Sequence, residues 1–399
     1  IESVFQRFGF LTIDTPAFES MKILNAKGGI GEDTKLVYEM KYEDLALRYD
    51  QTISLARYMA MHQNLPMPFR RYAIGKVWRR EEPQRLRYRE ITQADIDIIG
   101  GRNAPTDAEV IACGAEAIGA LGIDYIIKIN SRKFMNSLFA KLGVGAELIL
   151  PTMRVIDKLD KIGRDGVIEQ LQKLGLSRDI VDKIDLVINM QGTNDDKISY
   201  IEKTIDDKEA VQEMRETLGL LALYQVKRDA IELDFSLMRG LDYYTGIVFE
   251  YKLADLNEKN SLGGGGRYDN LIGMFSGKSM PAVGVALGID RILELLNFSS
   301  SPKQSYANLF IATINDKNYA YALGVANMFR ANGIAVDINT ASRNISNQLA
   351  YANSLNFKYA IIIGDSEEKE KTVKMRNLVD GNESTLSQKD ALQVIKDSM

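Results

Sequence analysis

The sequence predicts an α+β protein of more than one domain: an antiparallel sheet flanked by helices, interrupted by a helical segment and followed by a small α/β domain. Three observations predict it. At 399 residues the chain exceeds the roughly 250–300 residues at which a single core stops growing. Two long β runs, 69–80 and 88–99, enclose a polar turn at 81–87, and so short a connection implies antiparallel pairing. Beyond a polar, Ser- and Pro-bearing stretch at 297–305, β and α patterns alternate in the order β-α-β-α-β.

The elements follow in order. A helix ends near Phe5 and Phe8, and 11–15 is extended up to Pro16. Segments 36–40 and 45–49 form a hairpin, and 52–63 a helix that ends near His62. After the long β pair come a helix at 106–121 and a strand at 125–130. From 147 to 227 leucines and charges recur at helical spacing, as at Val167, Ile168, Leu171 and Leu174, which predicts a helical insertion. β character returns at 231–238 and 247–251, ahead of a glycine run at 263–266 and a helix from Asp290. Past the 297–305 linker, strands at 309–314, 334–338 and 359–363 alternate with helices at 319–331 and 344–355, predicting a parallel sheet covered by helices.

Composition excludes several classes. Hydrophobic content of 45% with 26% charged residues is ordinary for a soluble globular protein. No apolar run approaches the roughly 18 residues of a membrane helix. No secretory signal opens the chain, and its start at Ile1 suggests a missing N-terminus. A single cysteine, Cys113, excludes an internal disulfide, and with a single histidine, His62, there is no Cys/His zinc cluster. These features fit a reducing, cytoplasmic setting and no dedicated metal site. Cys113 reads as a small core residue of its helix. His62 reads as a helix end, with a role as a base left open.

Charge is unevenly spread. The net value is −4, yet residues 70–89 hold eight cations against Glu81 and Glu82, eight minus two giving +6. Such a cluster can bind the phosphates of a nucleotide or RNA; the alternative is a solvated strand pair. In 306–399, ten Lys and Arg face ten Asp and Glu, so RNA contacts there must come from local patterning.

Alternation gathers the polar residues of the β pair. Side chains two apart share a strand face, which groups Arg79 with Glu81, and Gln93 with Asp95 and Asp97. An arginine fork suits an α-phosphate because it donates two charge-assisted hydrogen bonds at once; a surface ladder of paired charges is the plain alternative. Segment 239–250 (RGLDYYTGIVFE) is a glycine-hinged loop carrying Arg239, Asp242, Tyr243 and Tyr244. It can present a fixed cation, a carboxylate and two aromatic hydroxyls to one small polar ligand beside a phosphate. The glycines at 263–266 permit close approach of a ligand to the backbone, or mark a bulge. Two glycine patterns fail: Gly273–Ser279 misses a P-loop because Ile272 stands where its first glycine belongs, and Gly29-Ile30-Gly31 lacks the third glycine of a Rossmann turn.

Several segments resemble the motifs of class II aminoacyl-tRNA synthetases, and more narrowly the histidyl-tRNA synthetase family. VWRREEPQ (77–84) with RYREITQADIDIIG (87–100) resembles motif 2, and GVALGIDR (284–291) motif 3. GFLTIDTP (9–16) with Glu19 is similar to motif 1, RYDQT (48–52) to the segment that binds the α-amino group, and SLGGGGRYDNL (261–271) to the glycine-rich strand. The 239–250 loop resembles the one that distinguishes the histidyl branch. The likeness runs along the whole chain and is weakest over 130–228. It implies a class II catalytic domain over 1–146 and 228–298, an insertion domain at 147–227, an anticodon-binding domain at 306–399, and a homodimer formed through the motif 1 region. It implies ATP, histidine and tRNA(His) as partners and Mg²⁺ with the ATP. By resemblance, Arg79, Glu81, Arg87 and Arg291 bind ATP, with Arg79 on the α-phosphate and Arg291 on the γ-phosphate. Asp50, Thr52 and Gln93 hold the histidine around its ammonium, and Asp97, Tyr243 and Tyr244 its imidazole side. Arg79, Gln93 and Arg239 make up the catalytic set, Arg239 facing Arg79 across the α-phosphate. Leu86 departs from the family, which carries glycine before Arg87, and puts the tRNA contacts of that loop in question. Two rivals are a synthetase-like regulatory subunit that binds histidine without charging tRNA, and a synthetase for threonine or proline. The first should lose Arg239 or motif 2 residues and often the C-terminal domain; the second should lack the 239–246 loop.

Overall fold

The computed structural model describes residues 1–24, 35–239, 243–254, 261–296, 305–341 and 344–398. It divides into two units, Ile1–Asn297 and Phe298–Met399. The glycines at 29 and 31, Asp242 and most of the 297–305 linker lie outside the described residues.

The first unit is built on eight strands in the order Leu11–Thr12, Phe69–Trp78, Glu90–Ile99, Ala282–Gly288, Ser261–Arg267, Ile247–Leu253, Tyr125–Ser131 and Ile231–Leu233. The six inner strands pair antiparallel, and the short strand at each edge is parallel to its neighbour. Strands Phe69–Trp78 and Glu90–Ile99 form a ten-rung ladder from Phe69 against Ile99 to Trp78 against Glu90, as alternation predicts. The expected hairpin of 36–40 with 45–49 shrinks to one bridge between Glu39 and Ala46. Leu45–Leu47 pairs instead with Phe18–Ser20, a partner too far along the chain for local pattern to reveal.

One face of the sheet is covered by helix Asn103–Gly119, whose Val110, Ile111 and Cys113 are fully buried. Burial raises the Cys113 thiol far above its usual range, so it stays a packed thiol and not a nucleophile. Five helices follow between Ala146 and Leu223. Ser177, Thr193 and Asp207 cap three of them through side-chain oxygens, Thr193 in a capping box with Asp196. Their apolar residues, among them Leu171, Val181 and Ile184, belong to the same continuous core as the sheet residues Ile127, Ile129 and Phe249.

The second unit has five strands in the order Val336–Ile338, Leu309–Thr313, Tyr359–Ile363, Thr372–Asn377 and Glu383–Ser387. The first three are parallel, as expected, but the last two add antiparallel, so the sheet is mixed. Alternate residues of Leu309–Thr313 serve opposite faces. Leu309 and Ile311 pack with Val325, Phe329 and Ile395, whereas Phe310 and Ala312 pack with Ala352 and Phe357. Both faces being covered, the strand is apolar along its length.

Candidate active site

The polar residues singled out in the sequence converge on one cavity above the glycine-rich centre of the large sheet. Asp50, Thr52, Arg79, Glu81, Arg87, Gln93, Arg239, Tyr243, Tyr244 and Arg291 all line it. The floor is nearly bare: Gly263 to Gly266 pair across to Leu287 through Gly284, and a Cβ on Gly265 would overlap the Gly284 carbonyl. A ligand can therefore lie directly on backbone. Gly265→Ala is expected to lower stability by about 1–3 kcal/mol or more and to empty the site, because the clash is with backbone that has no rotamer to change; circular-dichroism melting checks it.

Each charged side chain has a local reason for its position. Asp50 ends the extended entry to helix Thr52–Met61, and its Oδ1 accepts from the Ile53 amide at 2.9 Å. Burial pushes its carboxyl up, while that amide and Arg79 work against the shift. Tyr243 donates to Asp50 Oδ2 at 3.4 Å and stands edge-on to Tyr244, with ring centroids 4.9 Å apart. Burial raises both tyrosines, so their hydroxyls keep their protons. Arg79 lies over the Tyr49 ring at 4.5 Å and donates to the Tyr49 carbonyl at 3.3 Å. Arg239 sits at φ +54, reaches Glu250 at 3.3 Å, and gives its own carbonyl to Arg132.

Arg291, in helix Ile289–Leu295, donates to the carbonyls of Ser261 and Leu86. Leu86 holds φ +63 and is buried. A left-handed backbone is what glycine supplies without penalty, so leucine here keeps the backbone shape that a glycine would give. Arg87 pairs with Glu81 at 2.8 Å. The basic stretch 70–89 is largely answered by carboxylates: Arg70 meets Glu109, Arg71 meets Asp97, Lys76 meets Glu90 and Arg85 meets Glu294.

Asp97 does not line the cavity. It is buried, accepts from the Tyr268 hydroxyl at 2.5 Å, and lies 3.5 Å from Arg71. Asp95, Glu250, Ser261 and Tyr268 line the cavity although sequence reasoning gave them no role. Alternation had already put Asp95 on the right face, and Tyr268 directly follows the glycine strand. His62 stands outside the cavity, at the end of its helix against Tyr58.

The geometry has two poles. Four arginines (Arg79, Arg87, Arg239 and Arg291) line the cavity, and their contacts with carbonyls and single carboxylates are ones that a phosphate can replace. On the same cavity Asp50 and Asp95 present buried carboxyl groups, both raised by burial. No group of three or more His, Cys, Asp or Glu side chains suited to a metal occurs among the described residues, and no described helix is long and apolar enough to cross a membrane.

Comparison with known proteins agrees with this arrangement. The family model for histidyl-tRNA synthetase matches residues 1–292, and that for the anticodon binding domain matches 308–398. The histidine–tRNA ligase of Korarchaeum cryptofilum is 36% identical over 97% of this chain and 94% of its own. That of Clostridium tetani is 36% identical over 99% and 92%. The crystal structure of histidyl-tRNA synthetase from Nostoc sp. PCC 7120 superimposes with a TM-score of 0.85 at 28% identity, covering 100% of this chain and 94% of that one. With both the catalytic and anticodon-binding regions matched end to end by such ligases, the regulatory reading is not favoured. The chain belongs to the histidyl-tRNA synthetase family and is an aminoacyl-tRNA ligase, joining histidine to tRNA.

Proposed function

We propose that the cavity activates histidine in two poles, phosphate at the arginines and ammonium at Asp50. The observation that carries this is the convergence of Arg79, Arg239 and Arg291 with Asp50, Tyr243 and Tyr244 on one glycine floor. The carboxylate of histidine attacks the α-phosphorus of ATP; the bond to the β-phosphate oxygen breaks, and pyrophosphate leaves. Arg79 and Arg239 hold the α-phosphate from opposite sides as charge moves onto its oxygens, Arg291 takes the γ-phosphate, and Glu81 and Arg87 seat the remainder of the nucleotide. Such transfer depends on positioning and fixed charge more than on covalent work by the protein. Asp50, Thr52 and Gln93 hold the ammonium end, and Tyr243 and Tyr244 enclose the ring. A hydroxyl of the terminal tRNA ribose then attacks the activated carbonyl, and AMP leaves.

Mg²⁺ fits this donor set. Glu81 and Glu250 each present a carboxylate to the cavity, which suits an ion that arrives on a triphosphate and keeps several waters. When bound it would neutralise phosphate charge.

The family pattern and the exposed apolar residues Leu11 and Phe18 in the motif 1 region support a homodimer. The single buried thiol supports a cytoplasmic setting.

Pyrophosphate exchange, tried with each of the twenty amino acids, tests the reading. Histidine alone is expected to support it, since a buried site with partners for both ring nitrogens rejects rings lacking them by about 10⁴-fold or more. Absence of histidine-dependent exchange with ATP and Mg²⁺ would sink it.

A further inference from the structure

The phosphate pole of the cavity opens onto a second cavity, of about 380 Å³. Arg87, Arg239, Glu250, Ser261 and Arg291 line both. The second is completed by the entry to the helical segment, with Asp160 and Lys161, and by Lys128 and Lys252 from the sheet. Six Lys and Arg face four Asp and Glu around it, a balance that favours an anion.

Its two sheet lysines are held differently. Lys128 is engaged by Asp234 at 2.6 Å, a carboxylate itself fixed by the Ser236 amide at 2.8 Å and hydroxyl at 2.6 Å. Lys252 is shared between Asp160 at 3.2 Å and Glu250 at 3.7 Å. The Asp160 side chain is 72% exposed, and an ion pair with so exposed a partner is weak, so a phosphate can displace it. Lys252 also stands at the right end of the site. It pairs across strands with Ser261, whose carbonyl accepts from Arg291, yet it does not line the first cavity.

We propose that the second cavity is the exit site for the inorganic pyrophosphate released when histidine is activated. Lys252 is its receiving cation, and Asp160 is the carboxylate that competes for that cation and takes it back once pyrophosphate has gone. The inference rests on the reading of the first cavity as a histidine-activating site. After the attack the adenylate stays behind on the glycine floor, its phosphate still between Arg79 and Arg239. The broken bond leaves its electron pair on the bridging oxygen, so the departing group gains negative charge just as it separates from the α-phosphorus. It leaves from the Arg291 end, where Lys252 meets it. Pyrophosphate entering for the reverse reaction crosses the same site.

Histidine-dependent exchange with inorganic pyrophosphate as the varied substrate, with Mg²⁺ present, tests this in wild type, Lys252→Met and Asp160→Asn. Lys252→Met is expected to raise KM for pyrophosphate about tenfold or more, with KM for ATP and for histidine within about threefold of wild type. Asp160→Asn is expected to lower KM for pyrophosphate about threefold, since the competitor for Lys252 is gone. Both substitutions break the same ion pair, so a pair that only ties the helical segment to the sheet would shift KM in one direction. Shifts of the same sign, an unchanged KM for pyrophosphate in either variant, or a rise in KM for ATP as large as that for pyrophosphate overturns the proposal. If Lys252→Met does not fold, as judged by its melting curve, Lys252→Gln carries the same expectations. Wild type without histidine-dependent exchange would remove the site reading itself, a different failure.

Discussion

Replacing Arg239 by alanine is expected to lower the rate of histidine-dependent pyrophosphate exchange by about 10³-fold while changing KM for histidine less than about threefold. The reason lies in when its charge is used. In the free protein Arg239 pairs with Glu250 at 3.3 Å and hydrogen-bonds Tyr244, and burial works against its charge while Tyr244 and Glu250 sustain it. Charge on the α-phosphate grows as the carboxylate attacks, so an arginine aimed there contributes most in the transition state. Losing kcat without losing affinity is the mark of such a group. Exchange kinetics on Arg239→Ala decide the matter: a raised KM with unchanged kcat would make it a binding residue only. The fold should survive, since Lys252 remains 3.7 Å from Glu250.

The second large effect concerns stability. Arg267→Met is expected to destabilise the first unit by about 3–5 kcal/mol. Arg267 ends the glycine strand at 1% exposure and spends its guanidinium on Asp107 at 2.6 Å, Thr106 at 2.9 Å, the Asn103 carbonyl at 3.1 Å and Asp269 at 3.0 Å. It thus fastens the first turns of helix Asn103–Gly119 to the floor of the site. Methionine would leave Asp107 buried without its cation. A second substitution discriminates the mechanism: Arg267→Met with Asp107→Leu should recover a substantial part of the loss, because removing both members of a buried pair is far milder than removing one. Urea unfolding of the three proteins measures it, and a double variant no better than the single would contradict the pairing argument.

The long antiparallel pair and the helix Tyr319–Ala331 were legible because their information is local, in alternation and in 3.6-residue spacing. What escaped was set by distant partners or by weak patterns. Phe18–Ser20 takes Leu45–Leu47 through a contact that no local window contains. Glu383–Ser387 is a largely exposed edge strand with a single apolar residue, Leu386, and so no apolar alternation to betray it. The 231–238 run ends as a strand at Leu233 because Asp234 turns back to accept from the Ser236 amide at 2.8 Å. In the site, residue types and faces could be read, but the depth of each could not. Asp95 and Asp97 are equivalent by spacing, yet only Asp95 lines the cavity, while Tyr268, from just beyond the glycine strand, engages Asp97.

The bare floor has a thermodynamic consequence. Where Gly263 to Gly266 face Gly284 and Ala286, the sheet lacks the side-chain layer that would ordinarily lie on it, and the dispersion contacts of that layer are missing. A bound adenylate would supply those contacts to the folded protein and none to the unfolded one. The substrate thus becomes part of the protein's own packing, and by mass action the folded state should gain about 2.7 kcal/mol at a hundredfold excess over Kd. Resistance to heat and proteolysis in this chain is then a readout of its metabolic supply.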